Sequence, residues 1–277
     1  MVQILTIVVL ARNHQEFIGE TLESVAREFG PHLTVVFVDT GSSDATRSVA
    51  YSTAHRLGIP LKCVEGDFTT VQALSAVDPF ISTPYVMLIS GDDFLLPGYG
   101  RKSAALLHEI DHMVCLNFEL LVGDRQGCVT GTSRPLWVKS RVLNRILMAF
   151  TNPGRAPGSI VPWTMIRKSG LLHRHSECLV DDYIIWSYLV RECRFKNVPG
   201  SFVFYRRHPS AQGFQKRSDR YAWSLGYAAG VARRVAVPAL FRPIHMLVVW
   251  RWSRKFDSHR RRSFRTGFVL GEGSVSR

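Results

Sequence analysis

The sequence predicts an α/β fold in which helices flank a mostly parallel, Rossmann-like central sheet. Short apolar runs rich in β-branched residues alternate with amphipathic helical patterns through the first hundred residues. The runs lack the alternating polarity of half-exposed strands, which is typical of strands that are covered on both faces. Strands and helices that alternate in this way imply right-handed crossovers and parallel strands.

The first half of the chain gives the clearest elements. Buried strands with the sequences ILTIVVL, LTVVFV and YVMLI are predicted at residues 4–10, 33–38 and 85–89. Helices are predicted at residues 16–30, 45–57 and 99–109. The first of these helices carries apolar residues at helical spacing and ends at Gly30-Pro31, and the second ends at Gly58.

The second half is less regular. MVCLNFELLVG and GCVTG predict two strands joined by a turn, and FKNVPGSFVFYRRH predicts two short strands. PLWVKSRVLNRILMAF and LVDDYIIWSYLVREC predict helices. Between these helices, NPGRAPGSIVP is a Gly/Pro-rich loop of the kind that often carries function.

Composition limits the compartment and the chemistry. The five cysteines are odd in number and show no C-x-x-C spacing, so neither a disulfide framework nor a zinc knuckle is indicated. The apolar N-terminus lacks the basic region of a signal peptide, and no run reaches the roughly 18 apolar residues of a membrane span. We therefore expect a cytoplasmic protein.

Polar clusters follow three of the predicted strands. They are Arg12-Asn13, Asp39 to Asp44, and Ser90 to Asp93. In open α/β sheets, ligands bind outside the carboxyl ends of the strands, so these clusters predict a ligand crevice.

The loop DTGSSD, residues 39–44, places backbone N–H groups and hydroxyls at a helix start, which suits a polar or anionic ligand. A helix cap made by Ser43 or Asp44 is an equally good explanation of the loop taken alone.

Asp92 and Asp93 end the third strand. Hard cations such as Mg²⁺ or Mn²⁺ take oxygen ligands, and adjacent carboxylates repel unless a cation or a donor lies nearby. For an isolated pair, a helix cap or a solvated turn is the more common explanation.

Two further clusters lie later in the chain. Asp181-Asp182 opens a helix, where the helix dipole favours negative charge, but a carboxylate there can also act as a general base. Arg206, Arg207 and His208 follow a predicted strand and suit a phosphate, or form a solvated basic turn.

Taken together, the order and spacing of these segments resemble family 2 glycosyltransferases of the GT-A fold, over residues 3–215. VFVDTGSSDAT resembles the nucleoside-binding V-D-D-G-S-x-D-x-T segment, and ISGDDFLLPG resembles the metal-binding D-x-D-D-x-x-x-P-G segment. LVDDYIIWSYL resembles the E-D segment that carries the base, and YRRHPSA the Y-R-x-H-x-x-S segment near the donor phosphates. FIGETLESV, preceded by Asn13, resembles the first helix of the family.

The resemblance implies roles for individual residues. Asp39 would contact the nucleoside, Asp92 would bind an Mg²⁺ or Mn²⁺ ion that bridges the diphosphate, and Asp182 would be the general base. The other donor-binding positions implied are Asn13, Ser90, Arg206 and His208, with Asp93, Asp181 and Asp44 in supporting roles. The mechanism implied is a single inverting displacement, which transfers the sugar of a nucleotide-diphosphate sugar to a hydroxyl of a glycan or lipid-linked acceptor. Such enzymes commonly act in bacterial surface polysaccharide synthesis.

The chain departs from the family pattern in four places. Ser90 stands at the first Asp of D-x-D, Thr40 replaces the second Asp of V-D-D, and Leu10-Ala11-Arg12 replaces the usual P-x-Y. Residues 66–75, where the family often has a basic residue, contain none. These departures motivate one alternative, a catalytically silent relative that binds a sugar nucleotide or acts as a scaffold.

The resemblance also divides the chain. Residues 1–98 are expected to form the nucleotide-sugar-binding half of one GT-A domain, and residues 99–215 its acceptor-binding and catalytic half. Residues 216–277 are expected to form a helical, basic extension.

Most of the net charge of +13 lies near the C-terminus, since residues 231–277 hold 11 Lys and Arg against 2 Asp and Glu. Aromatic and basic residues mixed over 242–265 predict binding to an anionic membrane surface, on the inner face of the plasma membrane. A solvated terminus is the alternative.

Two other classes of protein fit less well. The sequence pI of about 10.0 raises nucleic-acid binding, but the charge is confined to the tail and no nucleic-acid-reading motif is present, so no nucleic-acid partner is expected. A nucleotidyltransferase would carry a Gly-rich loop after the first strand, whereas LARNHQEF has no glycine.

Overall fold

The computed structural model describes residues 4–30, 33–173, 181–209 and 219–275. The strands are β1 Leu5–Ala11, β2 Val35–Asp39, β3 Leu61–Glu65, β4 Tyr85–Ser90, β5 Phe94–Leu95, β6 Val114–Gly123, β7 Val129–Ser133, β8 Ser159–Pro162 and β9 Arg194–Arg206. The helices are α1 Ile18–Phe29, α2 Thr46–Leu57, α3 Thr70–Val77, α4 Tyr99–Glu109, α5 Arg141–Leu147, α6 Trp163–Lys168, α7 Asp181–Glu192, α8 Asp219–Val235, α9 Arg242–Ser253 and α10 Ser258–Ser274.

The described strands form one mixed sheet in the order β3-β2-β1-β4-β8-β6-β9-β5, with β7 paired to β6. The four strands β3, β2, β1 and β4 are parallel. Strand β8 is antiparallel to both β4 and β6, and β9 runs parallel to β6. The predicted α/β class is confirmed, with the purely parallel part confined to the first half of the chain.

Side chains of the central strands alternate between two apolar cores, one on each face of the sheet. On β1, Ile7 and Val9 belong to the core that includes residues of α1, α2 and α4, whereas Val8 belongs to the core that includes residues of α3, α6, α7 and α8. All three side chains are fully buried. Burial on both faces explains why these strands have no alternating polarity in the sequence.

Two predictions for the second half are wrong in detail. The two short strands expected within FKNVPGSFVFYRRH are one strand, β9, whose pairing with β6 shifts register around Pro199-Gly200. Proline cannot donate to a strand ladder and Gly200 has φ +94°, so the pair forms a bulge rather than an end. The helix expected over residues 135–150 is limited to α5, which Ser140 caps through the backbone N–H of Leu143.

The C-terminal region is helical, as expected. Helices α8 and α10 pack closely through facing glycines, because a Cβ atom on Gly226 would lie 2.0 Å from the carbonyl oxygen of Phe264. A Cβ on Gly271 would lie 2.1 Å from the carbonyl oxygen of Tyr227. Only glycine permits this approach of two helix backbones. Among the described residues, no helix is both long and apolar enough to cross a bilayer.

Candidate functional site

The carboxyl ends of β1, β2, β3 and β4 lie side by side, because the strands are parallel and in register. Ala11 pairs with Asp39, Asp39 with Glu65, and Leu10 with Ser90. The polar residues that follow these strands therefore meet at one edge of the sheet, as the sequence predicted.

Asp39 lines a cavity of about 270 Å³ at this edge, together with Gly41, Ser42, Arg47, Glu65, Gly66 and Asp67. One oxygen of the buried Asp39 carboxylate accepts a 2.8 Å hydrogen bond from the backbone N–H of Ser42. The other lies 3.0 Å from Nε of Arg47, whose Nη1 lies 2.6 Å from Glu65. The cavity is therefore lined by a basic group held between two carboxylates.

Arg47 and a second arginine supply the positive charge that residues 66–75 lack. Arg47 comes from α2, and Arg12, after β1, donates a 2.8 Å hydrogen bond to Asp67. The sequence places Arg12 at the crevice but does not identify Arg47, and neither pairing follows from a local pattern. Glu65 was also missed, since β3 is only half-buried and its pattern, LKCVE, is a weak strand signal.

Asn13 fixes the loop after β1 against the loop after β2. Its φ of +56° is left-handed, a conformation that asparagine tolerates better than most residues. Its side-chain oxygen accepts a 2.8 Å hydrogen bond from the backbone of Ser43, and its own N–H donates to Ser42 Oγ at 3.0 Å. Asp44 accepts from the N–H groups of Gln15 and Thr46, so it ties the same two loops together.

Asp92 forms a compact cluster with two histidines. Nε2 of His208 lies 2.9 Å from Asp92 Oδ2, and Nε2 of His14 lies 3.6 Å from the same oxygen. One ligand atom from each of the three residues fits within 4.8 Å of the others. Nδ1 of His14 is buried and has no hydrogen-bond partner in the described part of the chain.

The electrostatics of this cluster keep Asp92 ionised. Burial opposes the charged form, but the hydrogen bond from His208, the nearby His14 and a hydrogen bond from Ser90 outweigh it, so the pKa of Asp92 is lowered. Burial also lowers the pKa of His14, against the opposing effect of the Asp92 charge.

The side chain of Asp93 does not join the histidine cluster and is held by the backbone instead. Its Oδ1 accepts a 2.9 Å hydrogen bond from the backbone N–H of Arg206, and Oδ2 has no partner among the described residues. Burial, and then the charge of Asp92, raise the pKa of Asp93 well above its ordinary value. The neutral acid is therefore favoured at this position.

Arg206 is buried and holds the turn that carries both aspartates. Its guanidinium donates to the carbonyl oxygens of Asp92 at 3.0 Å and Arg125 at 2.8 Å, and it pairs with Glu20. Its guanidinium carbon also lies 4.7 Å from the centre of the Phe17 ring. The Arg206 side chain thus points into the protein, and these partners are all protein groups.

Asp182 lies in a second region, at the start of α7. Its carboxylate accepts hydrogen bonds from Asn152 Nδ2 at 2.7 Å and from the backbone N–H of Tyr183 at 2.8 Å. Burial raises the pKa of Asp182, although these bonds and the charge of Arg155 act against the shift. Asp181 begins the same helix, but its side chain lies outside the described residues.

The loop 152–158 that carries Asn152 is itself fixed. Arg155 Nε donates to Ser133 Oγ at 2.6 Å, and its Nη1 donates to the carbonyl oxygen of Gly154 at 2.7 Å. A Cβ on Gly154 would lie 2.3 Å from the indole nitrogen of Trp186, so this loop packs directly on α7. The sequence marked this loop as functional but did not identify Asn152 or Arg155.

Tyr205, near the end of β9, lies within electrostatic reach of both regions. Burial, then the charges of Asp93 and Asp92, and also that of Asp182, raise the pKa of Tyr205 to about 12. Tyr205 therefore lies near both the Asp92 cluster and Asp182.

A family model described as glycosyl transferase family 2 matches residues 6–171. A protein of Haemophilus influenzae described as an uncharacterized glycosyltransferase is 22% identical over 213 residues. That match covers 74% of this chain and 66% of the relative, so the chain spans just under two thirds of the relative's length.

Two solved structures resemble the whole described fold. The crystal structure of S. aureus TarS 1–349 in complex with UDP-GlcNAc is 15% identical, with a TM-score of 0.70, over 97% of this chain and 81% of that one. The mannosyltransferase PcManGT from Pyrobaculum calidifontis, in complex with GDP-Man and Mn²⁺, is 16% identical, with a TM-score of 0.61, over 98% and 75%.

Proposed function

The chain belongs to glycosyl transferase family 2, and from that premise we propose that it is an inverting enzyme. It would transfer the sugar of a nucleotide-diphosphate sugar to a hydroxyl of a glycan or lipid-linked acceptor. The observation that carries the proposal is geometric: ligand atoms of His14, Asp92 and His208 lie within 4.8 Å of one another, and the Asp182 carboxylate is held by Asn152 and the backbone N–H of Tyr183. The pKa of Asp92 is lowered and that of Asp182 is raised, so the two carboxylates have opposite settings. Carboxylates held in contrasting environments are typical of sites that divide charge stabilisation from proton transfer.

The donor half would be residues 1–98. In this proposal the nucleoside occupies the cavity beside Asp39, between the loop held by Asn13 and the end of β3. Backbone N–H groups and hydroxyls of residues 40–44 lie at the start of α2, an arrangement that favours anionic or polar ligands. Three of the structures similar to this chain contain UDP-GlcNAc, UDP and GDP-Man, respectively, which supports a nucleotide sugar as the donor class.

The residues of the Asp92 cluster fit a divalent cation. His14, Asp92 and His208 offer two imidazole nitrogens and one carboxylate, and the unpartnered Nδ1 of His14 lies in the same cluster. Mixed nitrogen and oxygen donors suit Mn²⁺ better than Mg²⁺, which prefers oxygen ligands alone. A bound cation would neutralise charge on the leaving diphosphate. Ser90 would support Asp92 through its hydroxyl.

Residues 99–215 would supply the acceptor side and the base. Asp182 takes the proton of the acceptor hydroxyl while the hydroxyl oxygen forms a bond to the anomeric carbon of the donor sugar. The bond from that carbon to the donor phosphate oxygen breaks, and its electron pair leaves with the diphosphate. One displacement inverts the anomeric configuration. Arg206 acts as a positioning residue in this scheme, because its donors hold the Asp92 turn.

A thermal-shift screen of UDP-, GDP- and dTDP-sugars, with and without Mn²⁺, tests donor and cation together. Stabilisation by one nucleotide class that grows with Mn²⁺ is expected, since a ligand bound only to the folded state raises its stability. No stabilisation by any of the three classes would contradict the proposed donor.

A second candidate is binding of a nucleotide sugar without transfer, which the replacement of an expected Asp by Ser90 favours. Product formation from the stabilising donor separates transfer from binding without transfer, because a silent relative would show the thermal shift and no turnover.

The acceptor is proposed to be lipid-linked or a growing polysaccharide, reached by a protein bound peripherally to the inner membrane surface.

A further inference from the structure

Helix α9 exposes apolar side chains on its outer face. Ile244, Leu247 and Trp250 recur at three-residue spacing and are 41%, 67% and 52% exposed, and Leu240, just before the helix, is 82% exposed. The opposite face, with His245 and Val249, is buried. Because the fold buries only one of the two apolar faces of α9, the exposed face is available to a partner.

A second exposed apolar group lies about a hundred residues earlier. On α5, Val142 and Leu143 are 62% and 52% exposed, and Leu136 and Phe150, on either side of the helix, are 49% and 42% exposed. Several exposed apolar side chains within one short segment often mark an interaction surface.

The two groups are neighbours in the fold. Arg145 on α5 donates a 2.9 Å hydrogen bond from Nε to the carbonyl oxygen of Ala236, four residues before Leu240. Tyr183 connects them again, because its hydroxyl donates to the carbonyl oxygen of Met148 and its ring lies 6.3 Å from that of Trp252 on α9. Tyr183 directly follows Asp182, so the helix that carries the candidate base contacts both the end of α5 and α9.

The chain segments that carry both groups contain basic residues and no acidic ones. The sequence has no Asp or Glu in residues 125–176 or 220–256. Exposed cations accompany the apolar residues, and the guanidinium of Arg254 lies 4.8 Å from the centre of the Trp250 ring. The others are Lys139, Arg141, Arg251 and Lys255. Apolar side chains among cations complement an anionic lipid surface, because the apolar side chains insert and each basic residue adds electrostatic attraction.

We propose that α5 and α9 form one docking surface for an anionic lipid bilayer, defined by Leu136, Val142, Leu143, Phe150, Leu240, Ile244, Leu247 and Trp250. The surface would hold Asp182 close to the hydroxyl of a lipid-linked acceptor, and this purpose rests on the proposed function. It extends the membrane contact from the C-terminal region to α5.

A second copy of the chain is a poorer occupant. In a two-fold dimer the same surface would face itself, so cations of one protomer would lie against cations of the other. Like charges brought together in this way oppose association.

Vesicle flotation of the full chain tests the proposal. The vesicles are phosphatidylcholine alone, or phosphatidylcholine mixed with phosphatidylglycerol. The variants are Val142→Glu with Leu143→Glu on α5, and Leu247→Glu with Trp250→Glu on α9. Tyr51→Glu on α2 is the matched control, since Tyr51 is 46% exposed and lies outside both groups.

The wild type and the control are expected to float with the anionic vesicles and far less with the neutral ones. Each double variant is expected to bind at least about tenfold more weakly, because it loses two inserting side chains and gains two negative charges. Thermal melting in solution shows that the variants are folded. Wild-type affinity in the α5 variant would remove α5 from the surface, and equal binding to neutral vesicles would overturn the electrostatic argument. A wild-type dimer that the variants abolish, with no vesicle binding, would assign the surface to a second copy.

Donor hydrolysis without vesicles separates this inference from the proposed function. Hydrolysis is expected to be the same in the wild type and in both double variants, since these side chains lie outside the donor site. Vesicle binding with no hydrolysis or transfer by any variant would sink the proposed function and leave the docking surface standing.

Discussion

The regions around Asp92 and Asp182 place the same residue type in opposite settings. Asp92 is surrounded by groups that favour its charge, two histidines and a serine hydroxyl, and its pKa is lowered. Asp182 is held by an amide and a backbone N–H, and burial raises its pKa. The comparison shows that two environments in one protein move the pKa of the same residue type in opposite directions.

The two regions are also supported by different arginines. Arg206 is buried and donates to the backbone of the Asp92 turn. Arg155 donates to a serine and to its own loop, and it acts on Asp182 through charge. The Asp92 region is thus fixed by the end of β9, whereas the Asp182 region depends on a loop.

Removing the proposed base should have the largest effect. Asp182→Asn cannot accept the acceptor proton, so transfer should fall roughly a hundred- to ten-thousand-fold, with donor affinity unchanged. Initial rates and donor titration by calorimetry measure the two quantities. Unchanged turnover would remove Asp182 from the base role.

The stability of the same variant gives an independent check. Because the folded-state pKa of Asp182 is raised, its ionisation costs stability as pH rises from the unfolded-state pKa to the folded-state pKa. Asp182→Asn should therefore melt at or above the wild-type temperature at neutral pH, and the difference should shrink as pH falls below this window.

Replacing Asp92 and Asp93 one at a time should show which of the two is a metal ligand and which is a structural residue. Asp92→Asn removes the charged member of the histidine cluster, and Mn²⁺ affinity should fall on the order of ten- to a hundredfold. Asp93→Asn replaces a carboxyl that is favoured as the neutral acid, so Mn²⁺ affinity should change much less. Mn²⁺ titration followed by electron paramagnetic resonance measures both. Equal losses of Mn²⁺ affinity in both variants would show that the two aspartates do not have distinct roles.

The pH dependence of transfer should report the setting of Asp182. Activity should fall as pH falls through a pKa above the ordinary aspartate value, because the protonated acid cannot act as base. Asn152→Ala removes a hydrogen bond that favours the ionised form, so the acidic limb should move to higher pH, by about one unit or less. Profiles of kcat/KM for both proteins test this, and a shift to lower pH would contradict it.

Restoring the family residue at position 90 should have the smallest effect. Ser90→Asp adds a carboxylate beside Asp92, and Mn²⁺ affinity should rise by about tenfold or less. Without a cation the added charge should lower the melting temperature. Calorimetry with Mn²⁺ and melting in chelator measure the two effects, and Ser90→Ala is the control that removes only the hydroxyl. A loss of affinity in Ser90→Asp would show that the cluster takes no further ligand.

Part of the site could be predicted because its signals are local. Asp39, Asp92 and Asp182 each follow or open a strongly patterned element, and parallel strands bring the first two to one edge. His14 and Arg47 could not be found in this way, since a lone histidine or arginine in a loop or on an exposed helix carries no pattern. Their partners, Asp92 and Asp39, are reached only through the fold.

The sequence by itself determined the fold class, the order of the elements in the first half and the family, because apolar periodicity and short motifs are local properties of the chain. Only the tertiary structure decided that Arg206 points inward, that His14 and His208 meet at Asp92, and that α5 contacts the segment between α8 and α9. The physical reason is that pairing, burial and the resulting pKa shifts depend on distances between residues far apart in sequence. In the Asp92 cluster those residues come from positions 14, 92 and 208, and no local pattern links them.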